Sequence, residues 1–271
     1  MSNATKCIDR IKGEQIANTR KRILLLEGDD DVKAFRILLD KKCTNNWEQH
    51  WSLASANGKK TVLDILRHEP TWIGLVDRDE WSDATITEKQ AELQNLCVLP
   101  RYCLENYLIN PDSLWVALPL RQKNKIGGGA TELRLAILLE KDKWLRHGVL
   151  WSIINPLPDG LWELGFKDDL LDVNNAQDNK SIKIKLKAWH DYLNPDLLFG
   201  KFTDKLLVAS HDTIDNQLHI WIHGKKFYEN VVHSTLNRLL KQTTADFRKF
   251  ELFQSMELPD DLAPLWTKMG L

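Results

Sequence analysis

Residues Arg22–Asp31 read RILLLEGDDD, a short apolar run that ends in a cluster of acidic residues. A second stretch, Trp72–Asp79, repeats this arrangement as WIGLVDRD. Short apolar runs bounded by polar residues are typical of buried strands in a parallel sheet. The carboxyl ends of parallel strands meet at one edge of the sheet, where α/β proteins bind ligands. We therefore expect the two acidic clusters to lie close together.

The sequence around these two runs alternates between strand and helix patterns. Strands are predicted over Arg22–Leu26, Trp51–Ala54, Trp72–Val76 and Asn95–Leu99, and helices over Asp29–Leu39, Lys59–Arg67 and Thr85–Leu93. This order predicts an α/β fold that is Rossmann-like, with a mainly parallel four-stranded sheet and right-handed crossovers. We place a domain boundary after residue 115, which gives an α/β domain over 1–115 and a mostly helical C-terminal part over 116–271 that packs on it.

After Pro100 the pattern becomes mainly helical. Helices are predicted over Tyr102–Leu108, Pro111–Leu118, Leu133–Leu145, Ile182–Leu193 and Tyr228–Leu240, and one strand over Leu218–Ile222. The glycines within Asn124–Ala130 indicate a loop, and little order is expected between Asp168 and Asn179.

The composition is that of an ordinary globular protein. The 271 residues carry a formal net charge of -1, so nucleic-acid binding would need local clusters of Lys and Arg. The four cysteines are dispersed, which favours reduced thiols. The first twelve residues lack the apolar core of a signal peptide, and no apolar stretch approaches the roughly 20 residues of a membrane span. A cytoplasmic protein without membrane contact is the expectation.

The acidic residues supply the oxygen ligands that a hard cation prefers. Glu27 ends the first strand and Gly28 lets the backbone turn away, so Asp31 falls in the first helical turn above the same edge. Asp77 and Asp79 flank one residue and project to the same side of an extended segment. This set favours Mg²⁺, with Mn²⁺ as a substitute, bound as one or two ions. Two ions would clamp the oxygens of a phosphodiester displacement, with Glu27 as general acid or base.

Each cluster alone also has an ordinary explanation. Asp29 and Asp30 suit the first turn of a helix, where carboxylates bind backbone N–H groups and interact with the helix dipole. An Asp-x-Asp sequence is frequent in solvated turns. The combination is more specific, because it requires Glu-Gly after one strand, a carboxylate four residues after that Glu, and Asp-x-Asp after the third strand.

This combination resembles the TOPRIM domain that primases, topoisomerases and OLD-family nucleases share. Leu24–Phe35 (LLLEGDDDVKAF) is similar to its first motif and Gly74–Asp79 (GLVDRD) to its second. Leu99–Pro111 (LPRYCLENYLINP) is similar to a segment of single-domain OLD-like TOPRIM proteins, a subgroup that includes the nuclease subunit of the PARIS phage-defence system. The resemblance covers about residues 20–115 and implies a TOPRIM fold there.

The resemblance also assigns roles to individual residues. It implies that Glu27, Asp77 and Asp79 are catalytic and that they bind the metal together with Asp31. Glu105 belongs to the Glu-Asn-Tyr-Leu motif and would lie beside the metal as a further ligand.

Nucleases of this family often place a lysine near the scissile phosphate. No position matches that lysine uniquely: Lys225 and Lys226 follow a predicted strand, and Lys59 and Lys60 open a predicted helix. All four also fit plain surface lysines. We take Lys225 as the candidate catalytic lysine.

The function implied by the resemblance is a metal-dependent endonuclease that hydrolyses phosphodiester bonds of RNA, such as tRNA, or of DNA. OLD-like TOPRIM domains commonly work with an ABC-type ATPase, so a separate ATPase subunit is the implied partner and a toxic effector of anti-phage defence the implied role. A homodimer is left open.

Two other functional classes remain open. A receiver-like phospho-signalling domain also carries acidic residues after its first and third strands, but it needs a hydroxyl after strand four and a lysine after strand five. A TOPRIM domain that has lost catalysis would serve as a binding module, which the intact acidic set disfavours.

Three further patterns add no separate activity. Gly58–Thr61 (GKKT) lacks the spacing of an ATP-binding P-loop. Lys180–Lys187 (KSIKIKLK) either lines a nucleic-acid groove or forms a solvated face. His219 and His223 flank Trp221 without the third ligand that zinc requires.

Overall fold

The central sheet has the predicted parallel topology. The computed structural model describes residues 3–16, 21–43, 46–168 and 172–271. The strands are β1 (Arg22–Leu26), β2 (Trp51–Ser55), β3 (Ile73–Val76) and β4 (Leu96–Val98). They pair in the order β2-β1-β3-β4, and every pairing is parallel. The prediction of an α/β fold on a four-stranded parallel sheet is therefore confirmed.

The sheet is buried because helices cover its strands. Four consecutive residues of β1, from Ile23 to Leu26, are at most 1% exposed. In β3, a Cβ atom on Gly74 would lie 2.6 Å from Leu66 Cδ1, so the helix that carries Leu66 rests directly on this strand. Residues buried on both faces explain why the strands read as continuous apolar runs rather than as alternating patterns.

The helices of the sheet region are α1 (Asn3–Ile11), α2 (Asp29–Lys42), α3 (Trp47–His50), α4 (Lys59–His68) and α5 (Asp83–Glu92). Three of them, α2, α4 and α5, begin and end close to their predicted positions, whereas α1 and α3 were not predicted. A π-helical turn, Lys12–Ile16, follows α1.

The rest of the described chain is mainly helical. The α-helices are α6 (Pro111–Ala117), α7 (Leu120–Lys123), α8 (Gly129–Leu138), α9 (Lys141–Ile154), α10 (Leu157–Glu163), α11 (Asn179–Tyr192), α12 (Pro195–His211), α13 (Ile214–Asn216), α14 (Gly224–Phe227), α15 (His233–Leu239), α16 (Ala245–Ser255) and α17 (Ala263–Met269). Shorter turns are the 3₁₀ segments Leu104–Tyr107, Asn175–Gln177 and Asp260–Leu262, and the π-helical segments Gln217–Trp221 and Tyr228–Val232.

Two predicted elements are wrong. The strand expected over Leu218–Ile222 is a π-helical turn, because Leu218 and Ile222 are both fully buried and lie four residues apart, which places them on one helical face. The single helix expected over Leu133–Leu145 is interrupted at residues 139–140, between α8 and α9. The stretch from Asp168 to Asn179, expected to have little order, holds a 3₁₀ turn within its described part, and residues 169–171 lie outside the described residues.

The chain forms two compact units that do not follow the division after residue 115. The first unit joins Met1–Glu140 with Leu218–Leu271, and the second is Lys141–Gln217. The difference arises because the chain returns after residue 217 and completes the unit that contains the sheet. In the second unit α9 packs along α12.

Within the described part of the chain, no helix has both the length and the apolar character that crossing a membrane requires. All four cysteines are free thiols.

Candidate functional site

The carboxyl ends of β1 and β3 bring two predicted site residues into direct contact. Glu27 follows β1 and Asp77 follows β3, and these strands are neighbours in the sheet. The Asp77 backbone N–H donates a 2.8 Å hydrogen bond to Glu27 Oε1, across 50 positions of sequence. The two acidic stretches therefore meet at one edge, as parallel pairing predicts.

Asp31 is turned towards the same edge by the start of α2. Gly28 is the extended N-cap residue of this helix, and its N–H donates to Asp31 Oδ2 at 2.9 Å. Asp29 and Asp30 share the first turn, where Asp29 is exposed. The three aspartates at the start of α2 therefore differ in direction, and only Asp31 points back over the strand ends.

Asp79 is held in a left-handed backbone conformation next to a lysine. Its φ is 49°, and its backbone N–H donates to the Tyr102 carbonyl at 2.8 Å. Lys59, the first residue of α4, places Nζ 2.6 Å from Asp79 Oδ2 and 4.5 Å from the centre of a Trp81 ring. The candidate Lys59 is therefore already paired with an acidic residue of the site, whereas Lys60 is exposed.

Of the second pair of candidate lysines, Lys225 is the one that reaches the acidic edge. Its Nζ lies 3.9 Å from Asp77 Oδ2, and its side chain is 51% exposed. Lys226 instead pairs with Glu229 on the neighbouring turn, at 3.6 Å. A half-exposed ammonium beside a buried carboxylate is suited to contact an anionic ligand that arrives from solvent.

Gly224 sets the position of Lys225 by a close backbone approach. A Cβ atom at Gly224 would lie 2.1 Å from Asn106 Oδ1 and 2.8 Å from Cys103 Sγ. Asn106 is fully buried and cannot yield easily, because its Nδ2 donates to the carbonyls of Leu218 and Ile222 at 2.6 and 3.0 Å. The Glu-Asn-Tyr-Leu motif therefore anchors the segment that delivers Lys225.

We expect Gly224→Ala to destabilise the protein and to displace Lys225. The overpacked methyl should lower the free energy of unfolding by about 1–3 kcal/mol, measured by urea denaturation. Gly200→Ala is the matched control, because no atom lies within 4 Å of its added Cβ and Gly200 is in the interior of α12. That control should be neutral or slightly stabilising, so equal losses in both variants would contradict the packing argument.

Burial and mutual repulsion make the acidic residues hard to ionise. Burial, with help from Asp79 and Asp31, raises the pKa of Glu27 to about 7, although Lys59 opposes the shift. Burial also raises the pKa of Asp31 to about 6. Asp77 is 7% exposed, and burial together with its neighbouring carboxylates raises its pKa well above the ordinary range. The edge thus lacks positive charge when all its carboxylates are ionised.

Stability should fall as pH rises across the range between the two pKa values of Glu27. The folded state binds the Glu27 proton more tightly than the unfolded chain, because the pKa rises from 4.5 to about 7. This contribution is complete below the unfolded pKa and is lost as pH rises through the folded pKa. From about pH 4.5 to about pH 7, wild type should lose about 1–3 kcal/mol more than Glu27→Gln. Urea denaturation across that range measures the difference, and parallel curves would contradict it.

Glu105 lies in a second ionic cluster, built around a lysine that the sequence analysis missed. Lys249, on α16, is 7% exposed, and its Nζ lies 2.7 Å from Asp30 Oδ2, 3.6 Å from Glu105 Oε1 and 3.7 Å from Asp246 Oδ1. The Cys103 thiol donates to Glu105 Oε2 at 3.3 Å. The available signal was the position of Lys249, three and four residues before buried Leu252 and Phe253 on one helical face.

The donor chemistry of the edge fits a hard divalent cation. Its groups are carboxylate oxygens whose pKa values burial and mutual repulsion raise, and a bound cation would favour their charged forms. Among the described residues, no group of three or more His, Cys, Asp or Glu side chains is already arranged to hold a metal ion. An ion would therefore need side-chain rotations, which the close ion pair of Lys59 with Asp79 opposes.

The remaining sequence patterns can also be placed. Lys180–Lys187 lies on α11, whose start is capped by Asp178 through the N–H groups of Lys180 and Ser181. Ile184 and Leu186 on this helix are more than half exposed. The alternating pattern thus belongs to a solvated helix of the second unit, and a role in nucleic-acid binding stays a prediction.

No family model, no curated protein and no solved structure matches this chain.

Proposed function

We propose that this protein is a Mg²⁺-dependent TOPRIM nuclease that hydrolyses phosphodiester bonds of nucleic acid. The observation that supports the proposal most directly is the hydrogen bond from the Asp77 N–H to the Glu27 carboxylate. It joins the Glu-Gly and Asp-x-Asp motifs at one sheet edge, which is the arrangement that the resemblance to TOPRIM domains requires.

In this proposal the metal ligands are the four carboxylates Glu27, Asp31, Asp77 and Asp79. Bound Mg²⁺ would neutralise charge on the phosphate and lower the pKa of a bound water. The pKa of Glu27, raised to about 7 by burial without metal, would fall on metal binding, and Glu27 would be the group to accept the proton of the attacking water or to protonate the leaving oxygen. Lys225 would contact the scissile phosphate, and Lys59 would orient Asp79.

The substrate class and partner follow from the resemblance. Lys60 and Lys226, which follow Lys59 and Lys225 in the sequence, are exposed and would add local positive charge for a phosphate backbone. The substrate is RNA, such as tRNA, or DNA. A separate ABC-type ATPase would hold the nuclease inactive until infection, which makes the chain a toxic effector of cytoplasmic anti-phage defence.

The decisive experiment incubates the purified chain with labelled tRNA and with duplex DNA, in Mg²⁺, in Mn²⁺ and in EDTA. Metal-dependent cleavage of either nucleic acid supports the proposal. Calorimetry with Mg²⁺ runs in parallel, since absence of both cleavage and metal binding would favour a TOPRIM domain that acts only as a binding module.

A receiver-like signalling domain is the second candidate, and two observations favour it. The strand order matches the first four strands of the 2-1-3-4-5 doubly wound sheet, and Lys225 faces the aspartate after β3. Against it, Leu99-Pro100 follows β4 where a receiver needs a hydroxyl, and the sheet of the described residues has no fifth strand. Incubation with acetyl phosphate separates the classes, because only a receiver would gain an acyl phosphate detectable by mass spectrometry.

A further inference from the structure

Next to the acidic edge, a buried ammonium group lies between two carboxylates. Lys249 Nζ lies between Asp30 and Glu105, at 2.7 and 3.6 Å, with 9% of its side chain exposed. Glu105 is 5% exposed, and its other carboxylate oxygen accepts a weak bond from the Cys103 thiol. Both oxygens of Glu105 therefore already have partners within the protein.

The ionised groups of the edge carry more negative than positive charge. Five carboxylates share it: Glu27, Asp31, Asp77, Asp79 and Glu105. Three ammonium groups face them: Lys59, Lys225 and Lys249. Asp30 and Lys33 add one charge of each sign and pair with each other at 3.2 Å. Asp246, 76% exposed and 3.7 Å from Lys249 Nζ, adds a further negative charge that water solvates. With Asp246 set aside and every other carboxylate ionised, the formal deficit is two positive charges, the charge of one Mg²⁺.

Lys225 and Lys249 differ in how freely they can move away from the carboxylates of the edge. Lys225 faces Asp77 from the solvent side, at 3.9 Å and half-exposed, so it is able to move away when a ligand arrives. The Lys249 side chain is 9% exposed and contacts three carboxylates, so moving it away would leave buried Glu105 without its ion-pair partner. Only the Glu27, Asp31, Asp77 and Asp79 side of the edge is therefore open to an ion.

We infer that Lys249 takes the place of a second metal ion, so that the site binds one divalent cation and Glu105 is a partner of Lys249 rather than a metal ligand. This inference rests on the proposed function, because it assumes that the acidic edge binds a metal. It decides between the one-ion and two-ion alternatives. It also makes Lys249 a positioning residue that keeps Glu105 out of the metal's coordination.

Calorimetric titration of the full chain with Mn²⁺ alone tests the inference through stoichiometry rather than activity. Wild type should bind one ion. Glu105→Gln should also bind one, with a Kd changed by less than about threefold. Lys249→Met should bind two, because it opens the position beside Glu105, whereas Lys249→Arg retains the charge and should bind one.

Other stoichiometries would contradict the inference. Two ions in wild type, an ion lost in Glu105→Gln, or one ion in folded Lys249→Met would overturn the inference and leave the proposed function standing. No ion in wild type would overturn both. If Lys249→Met does not fold, the double variant Lys249→Met/Glu105→Gln removes the unpaired charge. A folded double variant with one bound ion would support the inference, and one without an ion would overturn it.

Discussion

Glu27→Gln should lower Mg²⁺-dependent phosphodiester cleavage by on the order of 10³-fold. The substitution removes a metal ligand and the titratable group whose pKa lies near neutrality. Glutamine keeps a side-chain oxygen that can accept the hydrogen bond from the Asp77 N–H, so β1 and β3 should remain joined. Initial rates on tRNA or DNA, with circular dichroism for the fold, measure the effect.

Asp29→Asn is the matched control for this variant. It also removes one carboxylate from the same acidic stretch, but Asp29 is exposed and lies in the first turn of α2. Its cleavage rate should stay within about threefold of wild type. Full activity in Glu27→Gln, or an equal loss in Asp29→Asn, would refute the assignment of Glu27 as the central residue of the site.

Mg²⁺ should stabilise wild type and leave Asp77→Asn almost unaffected. A ligand that binds only the folded state at about 100 times its Kd adds about 2.7 kcal/mol, which raises the Tm of a protein of this size by about 5–10 °C. Asp77→Asn removes a ligand from the centre of the edge, so this rise should vanish. Differential scanning calorimetry with and without Mg²⁺, at about pH 8, makes the comparison.

The same variant should be more stable than wild type when no metal is present. Asp77 is buried, and burial and its neighbours raise its pKa, so ionisation near pH 8 costs folding free energy that asparagine does not. Asp83→Asn is the control, because its carboxylate is 89% exposed and pairs with Arg78 outside the site. A Mg²⁺ shift that survives in Asp77→Asn would show that the ion binds elsewhere.

The sheet and its acidic edge were predictable because both depend on local patterns. Each buried strand is a continuous apolar run, and parallel pairing of β1 with β3 then brings Glu27 to Asp77. The turn that directs Asp31 back over the edge is likewise local, because it needs only Gly28 and the start of a helix. The roles of these residues in metal binding and catalysis stay predictions.

The cationic half of the site was less predictable because it depends on distant segments. The position of Lys225 is fixed by a tertiary contact, the packing of Gly224 against Asn106. No pattern in the sequence around Lys225 indicates that contact. Lys249 looks like one of many helical surface lysines unless the apolar face of α16 is read with it. The π-helical turn over Leu218–Ile222 was mistaken for a strand because a short apolar run is ambiguous without its burial pattern.

The acidic and the basic residues of the edge are synthesised at different times. All five carboxylates precede residue 141, while Lys225 and Lys249 follow the entire second unit. A nascent chain that has emerged only as far as residue 217 carries the negative charges without two of their three ammonium partners. In such an incomplete chain the carboxylates of the edge would repel one another. The edge can therefore assemble fully only after Lys225 and Lys249 have been synthesised.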